Sequence, residues 1–497
     1  MAKDKTASQR YFNLRPFVLF AIASVLGVVC TVLSVNYGFL VVLLPFLALT
    51  IIGLILVVAK SKELSIYTLI MALLFILTSL VSSIKIANIN NCVEKAYPSE
   101  CMLSGKVVSA KCYGGYYSYI LKTPNYNGDK INCNVQFTSE YELSKGDIVS
   151  FTTSLNPIDK SEYSKFLVDN VGFTVNASDI EIVGQSNNLF EKCYLKIKRV
   201  IVEHMGEQAP FALALITGDS SLINSNELSN FRFSGVSHIF AVSGLHIGFL
   251  VGLISAFFEI LKIKREKKAF LVTFIALFYS GICGFTPSSL RATVMSAILL
   301  FAKAKGKKYD MLNSISLSMI IILLFNPFDL LSTGFVLSYG CVISICLFYK
   351  TFENLLKFMP EKLGGSVALC LSVQFGVSPL VCYYFGYTSI ISVLLNLLVV
   401  PIIGVVYPFL LIFIILTIII KPLAFLLKAP EVILFLVRYV ANFFEFEKFN
   451  LFFKFSPIII FLYYTFAIFA TEKLNFSKRV KLFSIIASTS FLLVVGV

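Results

Sequence analysis

Apolar residues in this chain come as unbroken runs rather than in alternation. Three runs open the sequence, at 17–35, 39–59 and 64–86. A second block follows at about 236–261, 269–285, 287–302, 311–325, 330–349, 364–385, 389–420, 430–444, 456–470 and 482–497. Runs near 20 residues predict membrane-spanning helices, because a helix of that length crosses the hydrocarbon core. Only helices and closed barrels satisfy their backbone groups in lipid, and continuous runs exclude a barrel of alternating strands. The run at 389–420 is long enough to hide a re-entrant pair.

Between the two blocks the pattern changes. Residues 88–185 are polar, with short β-rich runs at 101–112, 116–123, 130–137, 147–155 and 172–183. Gly114-Gly115, Asn125 to Gly128 and Lys145-Gly146-Asp147 punctuate them as turns. Five such strands fit a small barrel of the oligonucleotide/oligosaccharide-binding (OB) type. Residues 186–232 read as an amphipathic helical linker, in which the short run from Ala209 to Thr217 is interfacial or re-entrant. The predicted architecture is a polytopic α-helical membrane protein with one extracytoplasmic small β-barrel (OB-like) domain. It comprises a three-helix membrane anchor (1–87), the OB-like β domain (88–185), the linker (186–232) and a multi-helix membrane domain (233–497).

Composition agrees: 57% of the 497 residues are hydrophobic, and mean hydropathy is +0.83. The net charge of +14 invites a polyanionic ligand. Its placement removes that need. Lys262, Lys264, Arg265, Lys267 and Lys268 share one short inter-span loop, and Lys303, Lys305, Lys307 and Lys308 share another. This is the positive-inside pattern. It puts the N-terminus in the cytoplasm and 88–185 outside, and the first run reads as an uncleaved anchor. The β segment itself carries eight lysines against eleven acids, about −3, opposite to the footprint of a nucleic-acid binder. Its Tyr113, Tyr116, Tyr117, Tyr119 and Tyr126 could stack bases, although strands favour tyrosine anyway.

Of eleven cysteines, Cys30, Cys283, Cys341, Cys346, Cys370 and Cys382 lie in apolar runs as small hydrophobes. Cys92, Cys101, Cys112 and Cys133 fall in the polar segment, where an oxidising exterior would let some pair. The spacing leaves the connectivity open.

Polar chemistry concentrates at 233–248, at one end of an apolar run. Gly244, Gly248 and Gly252 recur every four residues, a small-residue face for close helix packing. His246 lies beside that face; it and His238 are expected to line a cavity or to hydrogen-bond between helices, with His246 presented to something wet. Ser243 and His246 stand at i, i+3 and could touch. No acid or further ligand accompanies them, and Ala241-Val242-Ser243-Gly244 does not fit the nucleophile elbow. No catalytic residue, metal or cofactor is therefore assigned.

A second constellation is Thr286-Pro287-Ser288-Ser289-Leu290-Arg291: a helix N-cap, a first-turn proline and a cation that together suit an anion, the other reading being an arginine that snorkels to headgroups or caps a neighbouring helix. Three further spans read as broken: around Ser332-Thr333-Gly334 and Ser338-Tyr339-Gly340, around Gln374 to Pro379, and around Asn396, Pro401, Gly404 and Pro408. Discontinuous helices at membrane depth line cavities. His238, Ser243, His246, Arg291, Gln374 and Asn396 are the candidate lining residues of a passage.

Phe231-Arg232-Phe233-Ser234-Gly235-Val236-Ser237-His238-Ile239-Phe240-Ala241-Val242-Ser243-Gly244-Leu245-His246-Ile247-Gly248 resembles the signature of the ComEC-type competence proteins. Gly218-Asp219-Ser220, Arg291-Ala292, Asn326-Pro327, Gly334 to Tyr339, and Asn396 followed by Pro401 fall in that family's order. Glu162 to Leu167 is similar to a motif of its external domain. Ser220 and Val336 depart from the pattern, standing where arginine and glutamine are common. The resemblance implies a channel for single-stranded DNA in natural transformation, in contact with membrane lipid. Its implied partners are a separate nuclease, a DNA receptor and a cytosolic DNA translocase, with a homodimer left open. It further implies that the family's metallo-β-lactamase-like domain is absent here, and hydrolytic activity with it. The alternative reading is a membrane-embedded transporter or hydrolase acting on a small or sugar-like solute.

Overall fold

The computed structural model describes residues 15–58, 62–95, 100–113, 116–126, 129–158, 163–177, 179–443, 446–453, 455–472 and 477–495. Gly114, Gly115, Glu162 and the side chain of Cys112 lie outside the described residues.

Helices α1 (Pro16–Tyr37), α2 (Leu40–Val58) and α3 (Lys62–Lys95) open the chain. Strands β1 (Glu100–Tyr113), β2 (Tyr116–Tyr126), β3 (Asp129–Lys130), β4 (Asn134–Ser139), β5 (Asp147–Ser154) and β6 (Asn156–Pro157) follow. The short α4 (Tyr163–Phe166) precedes β7 (Val171–Asn176) and β8 (Glu181–Gln185). Then come α5 (Leu189–His204), α6 (Ala209–Thr217), α7 (Ser225–Phe233), α8 (Gly244–Ile260), α9 (Arg265–Ile282) and α10 (Pro287–Ala304). Next are α11 (Met311–Phe325), α12 (Thr333–Leu355), α13 (Glu361–Phe385), β9 (Tyr387–Ser389) and α14 (Ser392–Ile419). Helix α15 (Lys428–Phe443), strand β10 (Asn450–Phe452) and helices α16 (Pro457–Ala467) and α17 (Lys478–Val495) complete the chain. Among the described residues, α1, α3, α12, α13 and α14 are long and apolar enough to cross a membrane.

The chain divides into two compact units. One joins residues 1–87 with 307–330, so α11 belongs with the N-terminal helices rather than with its sequence neighbours. Gly27 lets α1 and α3 touch: a Cβ there would lie 2.6 Å from the Phe75 carbonyl oxygen. Arg15 pairs with Asp310 at 3.1 Å, and Lys85 donates to Asn326 Oδ1 at 2.8 Å. Ile22, Leu26, Val29 and Leu33, spaced by three or four, stay exposed on α1, as a lipid-facing stripe requires.

The other unit holds 88–306 and 331–497. Its sheet pairs in the order β6-β7-β4-β2-β1-β5-β8, with β3 attached to β2. All pairs are antiparallel except β4 with β7. This path has open ends at β6 and β8, so pairing among the described residues does not close the predicted barrel. Val135, Phe137 and Ser139 alternate inward on β4, and Phe137 packs between Tyr119 and Phe151 at 5.1 and 5.0 Å. Two predicted strands are each divided, 130–137 into β3 and β4 and 172–183 into β7 and β8.

In the helical part, α6 covers the short run from Ala209 to Thr217 and is buried within the protein. Ala209 and Phe211 through Thr217 are all buried. A short helix that is apolar all round belongs in a core, and α6 is one centre of the largest hydrophobic cluster. Helix α5 is amphipathic as expected, burying Tyr194, Ile197 and Ile201. Of the three spans expected to be broken, two are continuous: α13 carries Pro379 internally, and α14 carries both Pro401 and Pro408, whereas at Ser332-Thr333-Gly334 a short turn over Pro327–Leu331 ends and Ser332 caps the start of α12. A break also falls inside the predicted span 236–261. There a short turn at Ser237–Phe240 and extended residues precede α8.

Candidate functional site

The break is built by local chemistry. Gly235 has φ +75°, and a Cβ there would fall 2.4 Å from the Ser392 Cβ, so conformation and close approach both require glycine. Ala241 is extended, and Ser243 caps α8. The Ser243 hydroxyl accepts from the Leu245 N–H at 3.3 Å. His246 reaches back, its Nδ1 accepting the Ser243 N–H at 3.1 Å. This is a capping box with histidine in the place usually taken by Glu or Gln. A backbone N–H can only donate, so Nδ1 carries the lone pair, and the ring proton of the neutral imidazole is assigned to Nε2. Nε2 is buried, with no hydrogen-bond partner among the described residues. The ring packs 4.8 Å from Tyr407, nearly edge to face.

The first turn of α10 sits against the same break. Thr286 caps that helix as expected, accepting the Ser289 N–H at 3.4 Å. Ser288 donates to the Val242 carbonyl at 2.7 Å. The Arg291 guanidinium lies 5.8 Å from the Tyr339 ring centre, and a Cβ on Gly244 would be 3.3 Å from its terminal nitrogen. Gln374 donates to Thr388 Oγ1 at 3.2 Å and to the Ser389 carbonyl at 3.3 Å, and accepts from Ser392 at 2.9 Å. Ser392 is the residue that abuts Gly235, and Asn396 follows one turn later on α14. Three constellations far apart in sequence therefore meet around 235–246.

The six candidates are not equivalent. His238 is exposed, and Ser243, Gln374 and Asn396 are half-buried. His246 is 0% and Arg291 6% exposed. The expectation that His246 meets something wet is corrected: its ring is a core group that shapes the start of α8. The packing ladder is corrected too. Among the described residues a Cβ on Gly248 or Gly252 would meet nothing within 4 Å, and only Gly244 is closely approached.

Sequence reasoning missed two connected groups. Tyr407 donates to the Tyr279 hydroxyl at 2.9 Å, and Tyr279 donates to the Ile216 carbonyl. Tyrosines inside apolar runs were the available signal, because a buried hydroxyl needs a partner. The second group surrounds Asp219, 2% exposed, which accepts from the Tyr194 hydroxyl and the Ser221 N–H (3.1 Å), with Lys145 at 3.7 Å. Burial pushes the Asp219 carboxyl up, but Lys145, Tyr194 and Ser221 outweigh it and hold the group below the usual carboxylate range. Among the described residues no cluster of three or more His, Cys, Asp or Glu side chains is placed to hold a metal ion.

Residues 215–475, just over half of the chain, match the model of a family described as "Competence protein". The chain belongs to the Competence protein family. All six candidates lie within the matched segment, whereas α1–α5 and the eight-stranded sheet precede it. This competence protein is 30% identical to ComE operon protein 3 of Bacillus subtilis, over 48% of its own chain and 31% of that protein. It is 26% identical to Recombination protein 2 of Haemophilus influenzae, over 40% of its chain and 27% of that protein. A third relative is the uncharacterized protein YcaI of Escherichia coli, 27% identical over 35% of this chain and 24% of that one. The matched region thus spans about a third or less of these three relatives' length. No solved structure matches. With its long apolar helices, the protein is a multi-pass membrane protein of the ComEC-type competence family.

Proposed function

We propose that this protein is a membrane channel that admits single-stranded DNA across the cytoplasmic membrane during natural transformation. The observation that carries this reading is the meeting of three polar constellations at a helix break, inside the segment that matches the competence family. Irregular backbone at membrane depth is either buried in protein or lines a cavity, and the cavity reading is the one adopted for the exposed and half-buried polar residues here. In this reading exposed His238 and half-buried Ser243 and Asn396 face the strand, while His246, Arg291 and Gln374 hold the lining in place. The sheet domain is outside and the N-terminus cytoplasmic, in keeping with the basic loops at Lys262–Lys268 and Lys303–Lys308. The pairing of β1 with β2 and β5, of β2 with β4, and of β4 in parallel with β7 supports a partly open OB-like barrel. Exposed Tyr116 and Tyr141 on this domain offer faces for bases. A DNA receptor, a separate nuclease and a cytosolic translocase complete the pathway. Lipid surrounds the helices, and a homodimer is compatible with this arrangement.

A membrane hydrolase is the weaker reading. Ser243 Oγ does lie 3.2 Å from His246 Nδ1, but that nitrogen takes the Ser243 backbone N–H. No acid orients the other ring nitrogen among the described residues.

The test is uptake of labelled duplex DNA by cells with and without this gene. Label protected from external nuclease should disappear in the deletion, while surface-bound label persists. Equal protected label in both strains overturns the reading.

The external placement has its own test. Cys92 and Cys133 are both free thiols in the structure, and burial first, then the neighbouring Cys92, pushes the Cys133 thiol up. In an oxidising exterior the two should join, and closing a loop of about 40 residues stabilises by about 4 kcal/mol. Acid-quenched, alkylated protein should show a mobility shift on reduction that Cys92→Ser abolishes. Two freely alkylated thiols at these positions would contradict an oxidised exterior domain.

A further inference from the structure

Residues 216–219 touch three things at once. Asp219 is buried and faces Lys145, in the turn between β4 and β5. The same side of the sheet domain is tied to α5 by Lys106–Glu191 at 2.7 Å and by Lys198 donating to Ser144 at 2.9 Å. One residue earlier, Gly218 has φ +77°, and a Cβ there would lie 3.2 Å from Val242 Cγ2 and 3.5 Å from the Val242 nitrogen. Val242 is in the break. Two residues earlier still, the Ile216 carbonyl accepts from Tyr279, which accepts from Tyr407, whose ring meets His246.

We propose that Gly218-Asp219 is a joint that sets the geometry of the break at 236–243 according to how the sheet domain is docked. Asp219 grips the sheet domain through Lys145, and Gly218 bears on Val242, so displacement of the turn at Lys145 is carried to the start of α8. Coupling between sites can be carried by a contiguous packed route, and here that route is two residues long. Asp219 and Gly218 are positioning residues, since neither is required to touch a transported strand. The meaning of the joint for transport rests on the channel reading, but its test does not involve DNA.

The experiment is hydrogen–deuterium exchange on the full chain in lipid nanodiscs, comparing wild type with Lys145→Ala, Asp219→Asn and Gly218→Ala. Lys145 is 28% exposed against 2% for Asp219, so its alanine variant opens less of the buried pair than a change at Asp219 does. Peptides over 236–243 should exchange at least about threefold faster in Lys145→Ala and Asp219→Asn. Peptides in α14 should be unchanged. Gly218→Ala, which pushes on Val242 directly, should alter the same peptides with the turn at 144–146 still protected. Wild-type exchange at 236–243 in Lys145→Ala, with the 144–146 turn released, overturns the joint and leaves the channel reading untouched. Loss of DNA uptake in Lys145→Ala with unaltered exchange at the break also refutes the joint alone.

Discussion

Arg291→Ala is expected to lower transformation at least about thirtyfold while the protein still inserts in the membrane at wild-type levels. Arg291 is 6% exposed, and its guanidinium sits over the Tyr339 ring and closely approaches Gly244, the first residue of α8. A desolvated cation–π contact is worth about 2 kcal/mol, and that energy corresponds to about a thirtyfold change in an equilibrium. Alanine also leaves a void between α10, α12 and the break, which close-packed neighbours fill only in part. Arg291→Lys distinguishes two roles. Lysine keeps the charge but not the flat fork that stacks on an aromatic face. If Arg291 acts by holding Gly244 and Tyr339, the lysine variant should remain impaired. Full activity in Arg291→Lys would mean that charge alone matters, which favours a direct phosphate contact. Wild-type transformation in Arg291→Ala would remove the residue from the site. The measurements are transformation frequency and the amount of protein resistant to carbonate extraction.

What the sequence revealed follows from how far each interaction reaches. The span at 311–325 coincides with α11, and Thr286 caps α10, because apolar length and cap chemistry are local. The Ser243–His246 contact was legible for the same reason, at a separation of three residues. The break at 241–243 was not. Ala241 and Val242 are apolar, so hydropathy reads straight through them, and what holds them extended comes from elsewhere: Ser288 on the Val242 carbonyl, Gly218 against Val242 and Ser392 against Gly235. Conversely, Pro401 and Pro408 signalled an interruption, yet α14 continues through both. Its burial of Val399, Ile403, Val406, Tyr407 and Leu410 outweighs the local penalty. The glycine ladder misled because spacing shows that a face is small, not that something covers it. Tyr407–Tyr279, separated by 128 residues, and Lys145–Asp219 are tertiary contacts that no local pattern encodes.

Histidine 246 gives the sharpest contrast between two variants. His246→Ala should reduce transformation at least about tenfold, whereas His246→Gln should stay within about threefold of wild type. The reasoning starts from the cap. Nδ1 accepts the Ser243 N–H, and a glutamine at the third helical position supplies an equivalent acceptor through its side-chain oxygen. Alanine supplies none. It leaves the part-buried Ser243 N–H without its acceptor, at about 1–3 kcal/mol, and opens a space beside Tyr407, which is itself fully buried. A loss of about 1.4 kcal/mol in the population of the native break is already tenfold. Glutamine also lacks the imidazole ring, whose Nε2 has no hydrogen-bond partner among the described residues, so the same variant asks whether the ring itself matters. If glutamine is as inactive as alanine while exchange at 236–243 is normal, the cap is intact and the ring itself is needed. His246 would then be a contact for a transported group, reached by a rearrangement of the core. If glutamine restores uptake, the histidine serves as a capping residue, and the strand-facing role at this turn passes to exposed His238.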